Sequence, residues 1–185
     1  MKSYIAKELM VPLAEYATVY DDATLYQAVL ALEKAQGDFD HTRYRHRAVL
    51  VLDKENKVIG KLSQLDVLKA LEPKYNGMLK GEGMQRFGFT KSFMTSLLKD
   101  YHLFERPMKD ICQKAGRQNV KIFMYTPSER EFVGADETLD KAIHQLVLGH
   151  HQSLLVVERS EIIGVLRLTD VFAAVYHTMK ACFVE

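Results

Sequence analysis

An internal repeat is the feature that most constrains the fold of this chain. Residues 21–32 read DDATLYQAVLAL, and residues 135–146 read ADETLDKAIHQL. A second match joins AVLVLDKENKVIGKLSQLDVL at 48–68 to SLLVVERSEIIGVLRLTDVF at 153–172. The first copy carries about ten extra residues, around Gly37 to His46. Such a repeat indicates one small unit built twice, with the two copies packed together to bury what neither buries alone.

Each copy has the residue pattern of a strand, a helix, two strands and a second helix. Thr24 and Thr138 are suited to cap the first helix, whose apolar residues recur at helical spacing. Apolar runs at 48–52 and 154–157 predict one strand, and runs at 58–62 and 162–166 predict the next. The last helix is expected to start near Asp66 or Asp170, because a carboxylate favours a helix N-terminus. The repeat therefore predicts an α+β fold of two β-α-β-β-α units packed as a pseudo-two-fold pair.

The middle of the chain lies outside the repeat. We expect one unit over residues 1–75, a linker over 76–103 and a second unit over 104–185. Residues 91–104 have apolar side chains at helical spacing, which predicts an amphipathic helix inserted in the linker. An apolar island at 120–125 suggests a further strand.

Charge and cysteine content restrict the class of protein. The net charge is +1, with 25 basic and 24 acidic residues, so we expect no nucleic-acid partner. Apolar stretches long enough for a membrane helix do not occur in the sequence, and Lys7 and Glu8 interrupt any signal core. Cys112 and Cys182 lack CxxC spacing and read as thiols of a reducing compartment. We therefore expect a cytoplasmic protein without a membrane contact.

Both copies are similar to the CBS domain family. The pattern is D-x-T-L at the start of a helix, followed by I-G, two further residues of a strand and an Asp at the next helix start. It occurs at 22–25 with 59–66, and again at 136–139 with 163–170. The resemblance implies a tandem pair, or Bateman module, which often forms disk-like dimers. It also implies clefts between the copies that bind AMP, ADP, ATP or S-adenosylmethionine.

Within that family, the motif Asp commonly bonds the ribose hydroxyls, which makes Asp66 and Asp170 the first candidates here. An ionised carboxylate can accept hydrogen bonds from both hydroxyls of a ribose, and its charge strengthens them. Amides at the start of the helix suit phosphate oxygens. The motif glycine would let the chain approach the ligand closely.

The hydroxyl positions of the motif are only partly kept. The family often has Ser or Thr three residues before the Asp and another directly before it. The first copy has Ser63 but Leu65, whereas the second has Thr169 but Arg167. Arg167 either binds phosphate or clashes with the usual ligand.

Residues near the strands supply further candidates, each with an ordinary alternative. Arg47 belongs to the basic run HTRYRHRA, which suits phosphate or is a solvated loop. His151, next to His150, either contacts a ligand, titrates near neutral pH or does neither; a metal site is not expected, because no third ligand is evident. Thr18, Val19 and Val133 line an adenine pocket or belong to the core.

The sequence thus predicts a regulatory sensor rather than an enzyme. It has no GxSxG, HExxH, Walker A or GxGxxG motif, so no catalytic residue is assigned and no cofactor is required. We expect a homodimer that binds an adenine nucleotide and acts on an effector protein in trans. The alternative is a structural or dimerisation pair whose clefts are degenerate and bind nothing.

Overall fold

The computed structural model describes residues 4–38, 46–75, 95–96 and 102–183. The helices of the two repeat copies and of their flanking segments are α1 (Ala6–Leu9), α2 (Leu25–Asp38), α3 (Gln64–Leu71), α4 (Met108–Gly116), α5 (Leu139–Leu148) and α6 (Leu168–Phe183). The strands are β1 (Val11–Pro12), β2 (Thr18–Tyr20), β3 (Ala48–Leu52), β4 (Val58–Ser63), β5 (Phe132–Gly134), β6 (Ser153–Glu158) and β7 (Glu161–Arg167). Short 3-10 turns lie at Leu13–Glu15, Val120–Ile122 and Glu129–Glu131.

The two copies form sheets of the same topology. In the first, β2 is parallel to β3, which is antiparallel to β4. In the second, β5 is parallel to β6, which is antiparallel to β7. Both hairpins have a register irregularity at the equivalent place, after Val51 in one and after Val156 in the other. The predicted α+β fold of two β-α-β-β-α units is confirmed.

Local sequence explains where the first helix of each copy begins. The Gln27 amide donates to Thr24 Oγ1 at 3.2 Å, and the Thr24 amide donates to Gln27 Oε1 at 2.8 Å. This reciprocal capping satisfies two amides that a helix start leaves unpaired. Thr138 holds the same N-cap position before α5, but its side chain makes no capping hydrogen bond to a backbone amide of the helix.

Segments outside the repeat cross between the copies. The short strand β1 joins the second sheet, where Val11 lies opposite Val165 and Pro12 opposite Gly164. Ala115 of α4 and Val120 of the following turn are buried in the helix-side core of the first copy. The predicted domain bounds at 75 and 104 stay a prediction. The strand β1 lies in the predicted first unit but pairs with β7, and α4 lies in the predicted second unit but packs into the first copy.

The two sheets face one another through a shared apolar core. Its buried members come from both copies and from the N-terminal segment: Val11, Tyr16, Leu50, Leu155 and Val165. Leu50 and Leu155 occupy equivalent positions of β3 and β6, and burying each such side chain contributes about 1.5–3 kcal/mol. This core holds β3 of the first copy against β6 and β7 of the second.

Two expectations for the middle of the chain need comment. The predicted strand at 120–125 is wrong: Val120–Ile122 is a 3-10 turn, because the Asn119 side chain accepts the Lys121 amide and bends the chain. Only Tyr125 pairs like a strand residue, in an isolated bridge to Lys61. Of the predicted linker helix at 91–104, the structure describes 95–96, which are helical, and 102–104, which form a turn and not a helix; the other residues lie outside the described ranges.

Candidate functional site

The predicted ribose aspartates lie where a strand runs directly into a helix. We call residues 61–66, where β4 meets α3, the first junction, and residues 165–170, where β7 meets α6, the second junction. The first amide of each helix donates at 3.0 Å to the carbonyl ahead of the neighbouring strand, Gln64 to Arg47 and Leu168 to Gln152. The junctions are therefore built alike, and any difference between them comes from side chains.

At the first junction, Ser63 and Asp66 form a reciprocal cap. Ser63 donates to Asp66 Oδ2 from its amide at 3.0 Å and from its hydroxyl at 2.6 Å. The Asp66 amide returns a bond to Ser63 Oγ at 3.2 Å. The other carboxylate oxygen, Oδ1, has a longer contact to Lys69 Nζ at 3.5 Å, and the side chain is 20% exposed. One oxygen of Asp66 thus keeps acceptor capacity at the surface.

A nearly buried ion pair joins the first junction to the second copy. Lys61 Nζ lies 2.9 Å from Glu131 Oε2 and 3.4 Å from Ser153 Oγ. The side chains of Lys61 and Glu131 are 14% and 4% exposed. Burial alone would raise the pKa of Glu131, but hydrogen bonds from Lys61 and Tyr125 and the Lys61 charge lower it below its ordinary value. Residues i and i+2 of a strand share a face, so Lys61 and Ser63 both face the second copy.

The second junction is occupied by its own side chains. Arg167 Nε donates to Asp170 Oδ2 at 2.6 Å, and Nη2 donates to Oδ1 at 2.5 Å. This two-pronged geometry is the strongest that an arginine makes with a carboxylate. The two side chains are 5% and 12% exposed. Both oxygens of Asp170 are therefore engaged, in contrast to those of Asp66.

Two aromatic residues of the first copy complete the second junction. Tyr16 is buried, and its ring meets that of the buried His46 edge to face, with centroids 4.5 Å apart. Burial raises the pKa of Tyr16 to about 12; the Arg167 charge opposes this rise and the Asp170 charge adds to it. Tyr16 thus lies close enough to Arg167 and Asp170 to feel both charges. The expectation of a solvated loop fails for His46.

The remaining polar candidates are dispersed. Thr169 is the second residue of α6 and is half-buried. Arg47 is exposed, and its carbonyl holds the start of α3, so it lies beside the first junction. The residues Arg43 and Arg45 lie outside the described residues. His151 is half-buried, and its Nε2 is enclosed without a hydrogen-bond partner among the described residues.

The candidates for an adenine pocket belong to strands of the core. Thr18 and Val19 lie in β2, opposite Leu50 and Val51 of β3. Val19 packs against the helix-side core, and Val133 is buried in the corresponding core of the second copy. Their side chains therefore support the ordinary alternative that the sequence left open.

The motif glycines lie against protein segments from outside the repeat. A Cβ at Gly164 would lie 2.5 Å from the Val11 carbonyl oxygen, and one at Gly60 would lie 2.4 Å from Met124 Sδ. The glycines make room for protein segments that cross over from outside the repeat. Their predicted role in letting the chain approach a ligand stays a prediction.

Three residues of these sites escaped the sequence analysis as functional candidates: Lys61, Glu131 and Tyr16. Lys61 and Glu131 are far apart in sequence, and no local pattern links them. The sequence offered one signal for this pair: Lys61 is a cation among the apolar residues of β4, and a charge on a buried strand needs a partner.

Other features of the described ranges carry less chemistry. A cleft of about 380 Å³ opens between the end of α3 and α4. Neither Asp66 nor Asp170 lines it. Over those ranges, no cluster of His, Cys, Asp and Glu is placed to hold a metal ion. Nor does any helix there combine the length and apolar character needed to cross a bilayer.

Comparison with known proteins identifies relatives of this architecture. A family model described as CBS domain matches residues 6–73 and 126–177. Among solved structures, that of CBSX2 in complex with AMP has 17% identity and a TM-score of 0.59, covering 95% of this chain and 98% of that one. A CBS domain-containing protein of unknown function from Bacillus anthracis has 18% identity and a TM-score of 0.61, covering 94% of each chain. A CBS-domain containing protein from Agrobacterium tumefaciens has 18% identity and a TM-score of 0.57, again covering 94% of each. A search of curated proteins finds no match.

Proposed function

The chain belongs to the CBS-domain family, and from that premise we propose that it is a regulatory module that binds an adenine nucleotide at the first junction. The observation that carries the proposal is the state of Asp66. Its Oδ2 is held by Ser63, which fixes the carboxylate, while Oδ1 has only a 3.5 Å contact with Lys69 among the contacts of the described residues. A fixed carboxylate with spare acceptor capacity suits a ribose diol.

Charge around the first junction favours an anionic ligand. Lys61 and Lys69 lie on β4 and α3, and Arg47 is placed where its carbonyl meets the first amide of α3. The repeat puts Val165, Ala173 and Gln152 at the equivalent positions of the second copy. The charge of Lys61 is paired with Glu131, so Arg47 and Lys69 are the two cations that favour phosphate binding at the first junction, and the matching positions of the second copy have none.

A relative supports the class of ligand. The CBSX2 structure, named as a complex with AMP, has the same fold at 17% identity. We extend the ligand class, an adenine nucleotide, to this chain as part of the proposal. Binding that favours one arrangement of the two copies would shift their population, and an effector protein in trans would respond to that shift.

Calorimetric titration with AMP, ADP, ATP and S-adenosylmethionine tests the proposal. We expect submillimolar binding of at least one of them, and its loss in Asp66→Asn, which keeps an acceptor for the Ser63 cap. Asp140→Asn, in the exposed first turn of α5, is the matched control and should bind as the parent does. Failure of all four ligands to bind the parent below millimolar concentration contradicts the proposal.

A structural pair that binds no nucleotide is the second candidate function. The Arg167–Asp170 ion pair favours it, because one of the two motif carboxylates is already satisfied within the protein. That function predicts stable self-association and no change in melting temperature with any of the four ligands.

Both candidate functions include a homodimer. Exposed apolar residues recur every three or four positions along α6, at Leu168, Phe172, Tyr176, Met179 and Phe183. This apolar stripe lies on one helix face, and a contiguous exposed apolar patch is typical of an interaction surface. Leu65 and Leu68 expose a shorter row on α3, the equivalent helix. We infer that these helices meet those of a second copy, and that the dimer acts in the cytoplasm, where the exposed thiols of Cys112 and Cys182 stay reduced.

A further inference from the structure

We propose that Arg167 closes the second junction to nucleotide, by occupying the carboxylate that would otherwise take a ribose. Each chain then binds one nucleotide, at the first junction. The expected number of one bound nucleotide per chain rests on the proposed function, whereas the closure of the second junction by Arg167 does not. Arg167 is thus the residue that makes two similar sites unequal.

Arg167 already occupies both carboxylate oxygens of Asp170. Its guanidinium donates to both oxygens of Asp170, at 2.6 and 2.5 Å, and both side chains are nearly buried. A ribose diol reaching Asp170 would have to replace two charge-assisted hydrogen bonds. The displaced guanidinium would also lose its ion pair with Asp170 in a site shielded from water, which is strongly unfavourable. A neutral diol cannot offset that loss.

The surroundings of the second junction add to the closure. Tyr16 and His46 lie against one another on the side of the first copy, and both are buried. The repeat puts Gln152 and Ala173 where the first junction has Arg47 and Lys69. The second junction therefore lacks those two cations for a phosphate, and its one arginine is committed to Asp170.

Comparison of the two copies isolates the responsible position. Ser63 occupies the place of Arg167 at the end of the corresponding strand. Its side chain is short and its hydroxyl bonds only Oδ2 of Asp66, at 2.6 Å, so Oδ1 has only the longer 3.5 Å contact with Lys69 among the described residues. The difference between serine and arginine at this one position accounts for the difference between the two carboxylates. Arg167→Ser should therefore open Asp170 to a second nucleotide, at a weaker site than the first because Arg47 and Lys69 have no counterpart there.

Equilibrium dialysis with radiolabelled AMP counts the sites. We expect one AMP bound per chain in the parent, two in Arg167→Ser, none in Asp66→Asn and one in the double variant. Circular dichroism confirms that each variant is folded. If Arg167→Ser does not fold, Arg167→Gln takes its place, because it keeps a polar side chain but is shorter, uncharged and unable to form the charged fork.

The outcomes separate the inference from the proposed function. A gain of one AMP on replacing Arg167, in the parent or in the Asp66→Asn background, supports the inference. No gain in either background overturns it, as does a parent that already binds two. Binding by the parent decides the proposed function independently: a parent that binds none of the four ligands, with one AMP site gained in Arg167→Ser, refutes the first junction as the site and leaves the closure standing.

Discussion

Removing Lys61 should destabilise the contact between the two copies by leaving Glu131 buried without its cation. The two charges lie 2.9 Å apart, and Glu131 is only 4% exposed. Truncating one partner of a buried ion pair typically costs about 3–5 kcal/mol. Glu131 keeps a bond from the Ser128 amide at 3.2 Å, so for Lys61→Met we expect the lower end, about 3 kcal/mol. At 2–4 °C per kcal/mol for a chain of this size, the melting temperature should fall by roughly 6–12 °C.

Urea unfolding of three variants isolates this effect. Glu131→Gln in the Lys61→Met background should recover most of the lost stability, because the amide keeps the Ser128 cap and carries no charge. Lys7→Met, which breaks the exposed Lys7–Glu158 pair, is the control and should change little. A cost of Lys61→Met below about 1 kcal/mol, typical of surface pairs, would refute the reasoning.

The pH dependence of the pair has a defined sign. The pKa of Glu131 is lowered in the folded chain, so its stabilising contribution is present above the ordinary value of 4.5 and is lost as the pH falls through the folded value. The acid limb of the stability profile should therefore flatten when Lys61→Met and Glu131→Gln are combined.

Three further outcomes follow from the geometry. Burial raises the pKa of Tyr16 from 10.0 to about 12. The resulting contribution to the free energy of unfolding, about 3 kcal/mol, is present below pH 10 and is lost as the pH rises from 10 to about 12. Tyr16→Phe should remove that alkaline loss of stability in urea titrations. Gly164→Ala should destabilise by roughly 1–3 kcal/mol, because its Cβ meets a backbone carbonyl, whereas Gly60→Ala meets the flexible Met124 and should lose less in thermal melts. Phe172→Asp should shift sedimentation toward the monomer, and an unchanged dimer mass would exclude the apolar stripe as the interface.

Local pattern predicted the repeated elements because each copy signals them by short-range rules. The Thr24 cap, the apolar strands and the carboxylate at a helix start all act within a few residues. The Arg167–Asp170 pair could also have been predicted, because residues three positions apart at a helix start lie close together. The sequence indicated that Arg167 could clash with a ligand, but it did not identify the Asp170 carboxylate as the partner of Arg167.

The crossing segments could not be predicted in the same way. The strand β1 has two residues, one of them proline, and exists because it covers the edge of β7. The Lys61–Glu131 pair likewise depends on how the sheets pack, which no local rule specifies. Long-range pairing decided these features, and their positions followed from the packing of the two copies.

A crystal structure of the chain grown with AMP tests the central claim most directly. We predict purine nucleotide density at the first junction, with a ribose hydroxyl within hydrogen-bond distance of Asp66 Oδ1 and Arg167 still bound to Asp170. Nucleotide seated on Asp170 with Arg167 displaced, or crystals at saturating AMP with no density beside Asp66, would contradict the account.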